Sequence, residues 1–316
     1  MIVVTGGSGH LGQWTIGALA SRGHEVACLA RRPLSEPTIA GVKWPGRVEP
    51  IVCDLSDRGS VAAAGSRLRE ATAVVHLAAH VPPATASNSD DDADETLRAN
   101  VHGTVSLLSE LRGGAAQSFV YASTFEVYGE PETLPVNESH PTRPTNYYGA
   151  SKLCGEQYVD LAAATLGVAG INLRFPAIYG PGDTIARALG NFLRAAVANE
   201  SITIQGDGRD RRDLVYAADA ARAVILAIER PTSGTFNIAD GRGYTIEEMA
   251  RAAISATSST STIERAERAK PRADYVLDVS EAGRHLGWTP QIRLEEGLAA
   301  QAEWLRAESG ENSEMA

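Results

Sequence analysis

Cysteine is scarce in this chain: only Cys28, Cys53 and Cys154 occur in 316 residues, with no Cys-x-x-Cys pair. That leaves no material for a disulfide framework or a thiolate metal centre. Cys28 and Cys53 fall in apolar runs and read as buried small hydrophobes, with a lone thiol nucleophile at Cys154 as the alternative. The histidines form no cluster, so no metal is expected. Positive charge is also in deficit, 29 Lys and Arg against 39 Asp and Glu, for a net charge of −10. An acidic chain of this kind does not make the broad phosphate contacts of a nucleic-acid binder. Apolar runs long enough to span a bilayer are missing, as is a basic and apolar leader ahead of the first strand. No membrane partner and a cytoplasmic location are therefore expected.

What the chain does have is 43% hydrophobic residues, enough for a large core. In its first half short β-rich runs alternate with helix-length segments. Strands are read at Ile2–Thr5, Glu25–Ala30, Val48–Cys53, Ala73–Leu77, Ser118–Ala122 and Val168–Phe175, with a helix over Leu11–Ser21. Apolar strands spaced in this way imply βαβ units and a parallel sheet covered on both faces. The expected fold class is α/β, a Rossmann doubly wound parallel sheet with a smaller C-terminal substrate-binding cap. Residues 1–175 would form the dinucleotide-binding domain, 176–307 mainly the cap, with some segments returning to the core, and 308–316 a frayed polar tail. The acidic run Ser89–Glu95 reads as a solvated loop and helix start.

The segment from Thr5 to Gly12, TGGSGHLG, leaves a strand and opens a helix. Gly6 permits the tight turn, Gly9 lets backbone approach a pyrophosphate, and Gly12 lets helix and strand lie close. The helix start, with His10 and Leu11, offers free N–H groups and a positive dipole end. At the end of the second strand an acidic residue would take the ribose hydroxyls of NAD. Arg31 and Arg32 stand there instead, placed for a 2′-phosphate, so NADP is favoured over NAD. Asp54 and Leu55, after the third strand, are placed to flank the adenine.

Tyr148 and Lys152 lie four residues apart, on one face of a helix. Hydride chemistry at a carbinol carbon needs a group that exchanges the oxygen's proton. A phenol suits if a nearby cation, aided by the positive nicotinamide ring, lowers its pKa, and Lys152 is that cation. Tyr147 is a rival whose partner at the same spacing, Ser151, carries no charge. Upstream, Thr124 or Ser123 can hydrogen-bond the substrate oxygen. Glu126 reads equally as a second acid/base or as a backbone ligand. Asn100, taken as the head of a helix, is either a relay toward Lys152 through water or a plain N-cap.

Taken in order, these pieces resemble the extended short-chain dehydrogenase/reductases, specifically the nucleotide-sugar epimerase/dehydratase family. HLAA (His76–Ala79), NVHGT (Asn100–Thr104), STFEVYG (Ser123–Gly129), YGASK (Tyr148–Lys152), LRFPAIYGPGD (Leu173–Asp183) and LGWTP (Leu286–Pro290) match its landmarks over nearly the whole chain. The resemblance implies cofactor contacts at Leu77, Ala78 and Ala79, and substrate diphosphate contacts at Arg212 and Arg268. It also implies a homodimer through the helix after Asn100 and the helix carrying Tyr148. Two positions depart from the pattern. Ala177 stands where an asparagine often reaches the substrate phosphates. Phe125-Glu126 stands where 4,6-dehydratases carry Asp-Glu, which argues against water elimination.

The resemblance thus implies an NAD(P)-dependent epimerase-type enzyme acting on a nucleotide-sugar through a keto-sugar. The alternatives are an NADPH-dependent ketoreductase, another sugar-modifying reaction by elimination or decarboxylation, and a non-catalytic dinucleotide sensor.

Overall fold

The computed structural model describes residues 1–34, 36–39, 41–46, 48–82, 88–268 and 272–314, with side chains as far as residue 308. A parallel sheet of seven strands forms its centre. Six strands come from the first half: β1 (Ile2–Thr5), β2 (Val26–Ala30), β3 (Val48–Val52), β4 (Ala73–His76), β5 (Ser118–Thr124) and β6 (Ala169–Phe175). They run β3-β2-β1-β4-β5-β6, and the strand Gly234–Asn237 adds beyond β6. The order reverses between β1 and β4, and ligands of open α/β sheets bind above such a reversal.

β1, β2 and β4 read IVVT, VACLA and AVVH and are buried at every position. Unbroken apolar runs are needed where helices cover both faces, and the two faces divide the residues by strand alternation. Val4, Cys28, Val75 and Val120 share one core with Ile16 and Leu19. Val3, Ala27, Val74, Phe119 and Tyr121 share another with Leu68 and Leu107. β3, by contrast, reads VEPIV with alternating exposure. Its Pro50, which cannot donate to a ladder, is tolerated because β3 is an edge strand.

The helices follow in chain order. They are α1 (His10–Ser21), α2 (Arg58–Ala63), α3 (Gly65–Glu70), α4 (Asp90–Thr96), α5 (Gly103–Glu110) and α6 (Tyr147–Leu166), then α7 (Ala188–Val197), α8 (Ala217–Glu229), α9 (Ile246–Thr257) and α10 (Leu294–Glu314). α1 and α8 pack together on the first face, so the later half of the chain supplies part of the sheet's cover. The remainder beyond Phe175 builds a second core around Tyr179, Phe192, Leu193, Ile204, Met249 and Leu298. Short strand pairs brace it, Ala177–Tyr179 with Leu214–Tyr216 and Ile202–Gln205 with Ile263–Ala266. α9 begins with a reciprocal cap between Thr245 and Glu248. Trp288 is fully buried, and its indole N–H donates to the Asp219 carbonyl at 2.9 Å.

Two local expectations change. The polar stretch from Glu308, read as a frayed tail, continues α10 to Glu314, since a helix already nucleated upstream extends at little cost. Ser89 caps α4 by accepting from the Asp92 N–H, and Asp92 is buried rather than solvated, with its carboxylate 3.2 Å from His80 Nε2. Cys28 and Cys53 are buried as expected, and burial pushes both thiols up. The Cys154 thiol is also raised by burial, which opposes a nucleophilic thiolate there.

His76, at the end of β4, is fully buried between Thr5 Oγ1 at 2.7 Å and Thr104 Oγ1 at 2.9 Å. Burial, then the charge of Lys152, lowers its pKa to about 3. The unfolded chain therefore binds a proton here that the folded chain refuses. The stability of the neutral imidazole is complete above the ordinary value near 6.5 and is lost as pH falls toward 3. Denaturant melts at pH 7 and pH 4 should show a shallower acid loss in His76→Gln than in the parent, by on the order of 3 kcal/mol. Equal losses would mean that another group carries the acid sensitivity.

Candidate active site

The glycine turn follows β1 directly. Gly6 has φ +71, and a Cβ there would lie 2.5 Å from the Ala78 backbone N. A Cβ on Gly12 would run into the Gly6 carbonyl. Glycine is thus enforced twice by close approach of backbone. Gly9 is the N-cap of α1 and contributes no side chain, so the helix start keeps donor groups for a ligand. Thr5 Oγ1 accepts from the Ala78 N–H at 3.2 Å, holding the Leu77–Ala79 segment beside the turn. His10 turns inward, and its pKa is lowered to about 4 by burial, opposed by a hydrogen bond to the Pro181 carbonyl.

A cavity of about 710 Å³ opens above the sheet's reversal. Gly6, His10, Leu11, Gly12, Leu77, Ala79, Ser123, Thr124, Glu126, Tyr148, Lys152, Ala177 and Arg212 all line it. Beside it, a cavity of about 310 Å³ is lined by Gly6, Leu29, Ala30, Arg31, Asp54, Leu55, Leu77, Ala78 and Ala79. The two share Gly6, Leu77 and Ala79, so together they form one elongated groove across the turn. Arg32 does not line either cavity, and Asp54 turns its carboxylate onto Ser56, which holds its pKa down.

Tyr148 lines the cavity while Tyr147 points outward, 41% exposed. Lys152 is buried, donates from Nζ to the Ala122 carbonyl at 2.7 Å, and stands 5.9 Å from the centre of the Tyr148 ring. Burial lowers its pKa to about 7. The protein's own groups do not depress the Tyr148 phenol. Burial raises the Tyr148 pKa and the Glu126 carboxylate adds to the rise, while the charge of Arg187 opposes both. Tied to a carbonyl and itself desolvated, Lys152 does not offset these effects.

Ser123 and Thr124 divide their tasks. Ser123 Oγ donates to buried Glu156, whereas among the described residues Thr124 Oγ1 accepts only the Glu126 N–H, at 3.3 Å, leaving its own proton for a ligand. Glu126 accepts from Asn146 Nδ2 at 2.6 Å, and Asn146 Oδ1 caps α6 by taking the Gly149 N–H at 2.7 Å. The carboxylate thereby orients the helix start that presents Tyr148. Asn100 is not an N-cap. It lies buried inside a π-helical turn, Leu97–His102, bonded to the His80 backbone and to Ser151 Oγ at 2.9 Å. It reaches the neighbour of Lys152 rather than Lys152 itself.

The two arginines implied for the diphosphate separate. Arg212 lines the cavity, stacked 5.4 Å from the Tyr275 ring and donating to the Ala273 carbonyl. Arg268 is not among the lining residues and is held by Asp210 at 2.8 Å and Asp207 at 2.9 Å. Lining residues without a sequence signal include Phe175, Ile185, Arg187, Leu189, Tyr275 and Leu277. Apart from Phe175, which ends β6, they come from loops and the start of α7, whose direction periodicity does not give. Asp213, inside the RRDLVY stretch, was also missed. It takes the Leu214, Gly241 and Leu277 N–H groups and knits three cap segments together.

The architecture is shared with known enzymes. The solved UDP-glucose 4-epimerase of Thermotoga maritima with UDP-glucose superposes at TM-score 0.86 with 27% identity, covering 98% of this chain and 99% of that one. The Thermus thermophilus UDP-glucose 4-epimerase with NAD superposes at TM-score 0.80 with 28% identity, covering 96% and 98%. In sequence, the UDP-glucose 4-epimerase of Streptomyces lividans is 29% identical over 96% of this chain and 95% of its own length. The dTDP-glucose 4,6-dehydratase of Streptomyces griseus is 32% identical over 73% and 70%. A family model spans residues 2–239, and the chain belongs to the NAD dependent epimerase/dehydratase family.

Proposed function

We propose that this protein is an NAD(P)-dependent nucleotide-sugar 4-epimerase, oxidising one carbinol carbon to a keto-sugar and reducing it again from the opposite side. The observation that carries this is that Tyr148, Lys152 and Thr124 share one cavity with the glycine turn. Relatives named as UDP-glucose 4-epimerases align over nearly the whole chain, which supports the same reading.

The residues fit a dinucleotide. The turn around Gly6 and Gly12 is a cradle that any side chain would fill, and the smaller cavity extends from it toward Arg31, Asp54 and Leu55. Gly6, Gly9, Gly12, His10 and Leu11 would hold the pyrophosphate, and Leu77, Ala78 and Ala79 would wall the groove. When bound, the nicotinamide ring supplies the hydride acceptor and donor. Thr124 orients the reacting hydroxyl and Tyr148 takes and returns its proton. With a pKa near 7, Lys152 changes charge in the working range, one helical turn from the Tyr148 phenol. Glu126 keeps α6 in register through Asn146, and Arg212 meets the substrate diphosphate. Arg31 lining the smaller cavity, with no carboxylate ending β2, favours NADP and keeps an NADPH-dependent reductase as the second reading. Phe125 in place of an acid speaks against 4,6-dehydration. Leu97, Tyr158 and Leu161, exposed on the helices after β4 and β5, support pairing of two chains through that face.

Denaturing the purified protein should release NAD(P)+, and the native protein should interconvert UDP-hexoses with no cofactor added. An empty protein that consumes NADPH only when offered a keto substrate would establish the reductase instead. Tyr148→Phe should lose about 100- to 10,000-fold in kcat while retaining its nucleotide. Unchanged turnover would remove the phenol from the chemistry.

A further inference from the structure

Lys152 is withdrawn from water, yet among the described residues its Nζ has one hydrogen-bond acceptor, the Ala122 carbonyl at 2.7 Å. An ammonium carries three donors, so a single carbonyl answers only part of what burial removes. The residue before Ala122 supplies more. The ring of Tyr121 lies under Nζ, 4.7 Å from the atom to the ring centre, nearer than the 5.9 Å to the Tyr148 ring. Consecutive residues of β5 thus meet one side chain, Ala122 through its carbonyl and Tyr121 through its π-face. The negative face of an aromatic ring attracts a cation, most strongly where water is excluded.

The ring is fixed by its neighbours. Tyr121 is fully buried in the core under α6, with Leu107, Phe119 and Val159. The centre of the His76 ring lies 5.5 Å from its own. Its hydroxyl occupies the space beside Gly155, where any Cβ would run into that oxygen. Gly155 stands one turn after Lys152 on α6, inside a helix where glycine is otherwise unfavourable. The helix therefore settles onto β5 with the lysine above the ring.

The charged and titratable groups around Lys152 are committed elsewhere or neutral. Glu156, four residues along α6, favours the ammonium, but its carboxylate is bound by Ser123 of β5 and Arg174 of β6. His76 on β4 stays neutral, its pKa lowered to about 3 by burial and then by the charge of Lys152. Burial raises the phenols of Tyr121 and Tyr148, so neither offers a negative charge near neutrality. Glu126, on the turn after β5, is bonded to Asn146, and its effect on Tyr148 is opposed by Arg187. On the helices packed beside α6, Asp92 meets His80 and Glu110 meets Arg69, while Arg98 and His102 are exposed.

Resting on the epimerase reading for what Lys152 does in turnover, we propose that Tyr121 is a positioning residue whose ring face holds Lys152 in its ammonium form, so that an aromatic on β5 sets where that charge is lost.

The chain has only three lysines, so lysine labelled at Cε gives few NMR signals, and Lys152→Met identifies the one that matters. On the purified holoenzyme the Lys152 titration is followed with phenylalanine, then mono-, di- and trifluorophenylalanine, in place of Tyr121. These rings share one shape, and each fluorine draws charge from the face. Tyr121→Phe keeps the face and should leave the midpoint nearly unchanged. The fluorinated rings should lower it step by step, by about 0.5–1.5 pH units in all. The limb of the kcat–pH profile that follows Lys152 should move with it. A midpoint that stays put through the series, or that Tyr121→Phe alone moves as far as the trifluorinated ring does, would overturn the assignment. A midpoint that moves in a protein turning over no nucleotide-sugar would leave Tyr121 in its role and overturn the epimerase reading.

Discussion

Glu156 sits on the inner face of α6 with its carboxylate wholly inside the protein. One oxygen takes Ser123 Oγ and Arg174 Nε, and the other takes Arg174 Nη2 at 2.6 Å. Ser123 and Arg174 are register partners on β5 and β6, so a single side chain fastens the helix to two adjacent strands. Arg174 then lies 4.7 Å from the ring centre of Tyr128, whose hydroxyl donates to Asn237 Oδ1 at 2.7 Å. Removing one member of such a buried pair typically costs about 3–5 kcal/mol, because the other charge is left without compensation. The placing of Tyr148 and Lys152 over the end of β5 depends on this anchor, since both ride on the same helix one to two turns earlier.

A second constraint comes from backbone crowding. Gly6 and Gly12 bring β1, the start of α1 and the Leu77–Ala79 segment so close that no Cβ fits. Gln13 then ties the helix outward, its Oε1 accepting the Thr38 and Ile39 N–H groups and its Nε2 donating to Thr38 Oγ1. Trp14 Nε1 reaches the Pro181 carbonyl at 3.1 Å, so the first helix of the sheet directly braces a loop of the cap. Cofactor groove and substrate cavity are consequently set by one helix.

Much of this was legible in the residues. The strands show as unbroken apolar runs, because a sheet covered on both faces has no polar face to confuse the pattern. The glycine spacing and the Tyr148/Lys152 spacing are local, and they survive translation into three dimensions. The losses are where distance along the chain says nothing. Asn100 looked like a helix start because the sequence does not mark a π-turn inside a continuing helix. For Arg268, implied by the resemblance as a diphosphate contact, the carboxylate partners Asp207 and Asp210 lie 58 or more positions away, where no local motif registers them. The spacing of Tyr148 and Lys152 records a lysine near the phenol and not the burial that both groups share.

The strand Gly234–Asn237 gives the chain an interleaved path. The polypeptide leaves the sheet after β6, builds α7 and its neighbouring strands, lays α8 back on the sheet, and then re-enters it beside β6. Both ends of that excursion are therefore clamped in the same hydrogen-bonded ladder. The segments between Phe175 and Gly234 thus form a loop on that ladder, and α9 and α10, which share their core, follow only after the chain has re-entered the sheet. Cutting the chain after residue 233 would strip an edge from the sheet itself, so the two halves stand or unfold together.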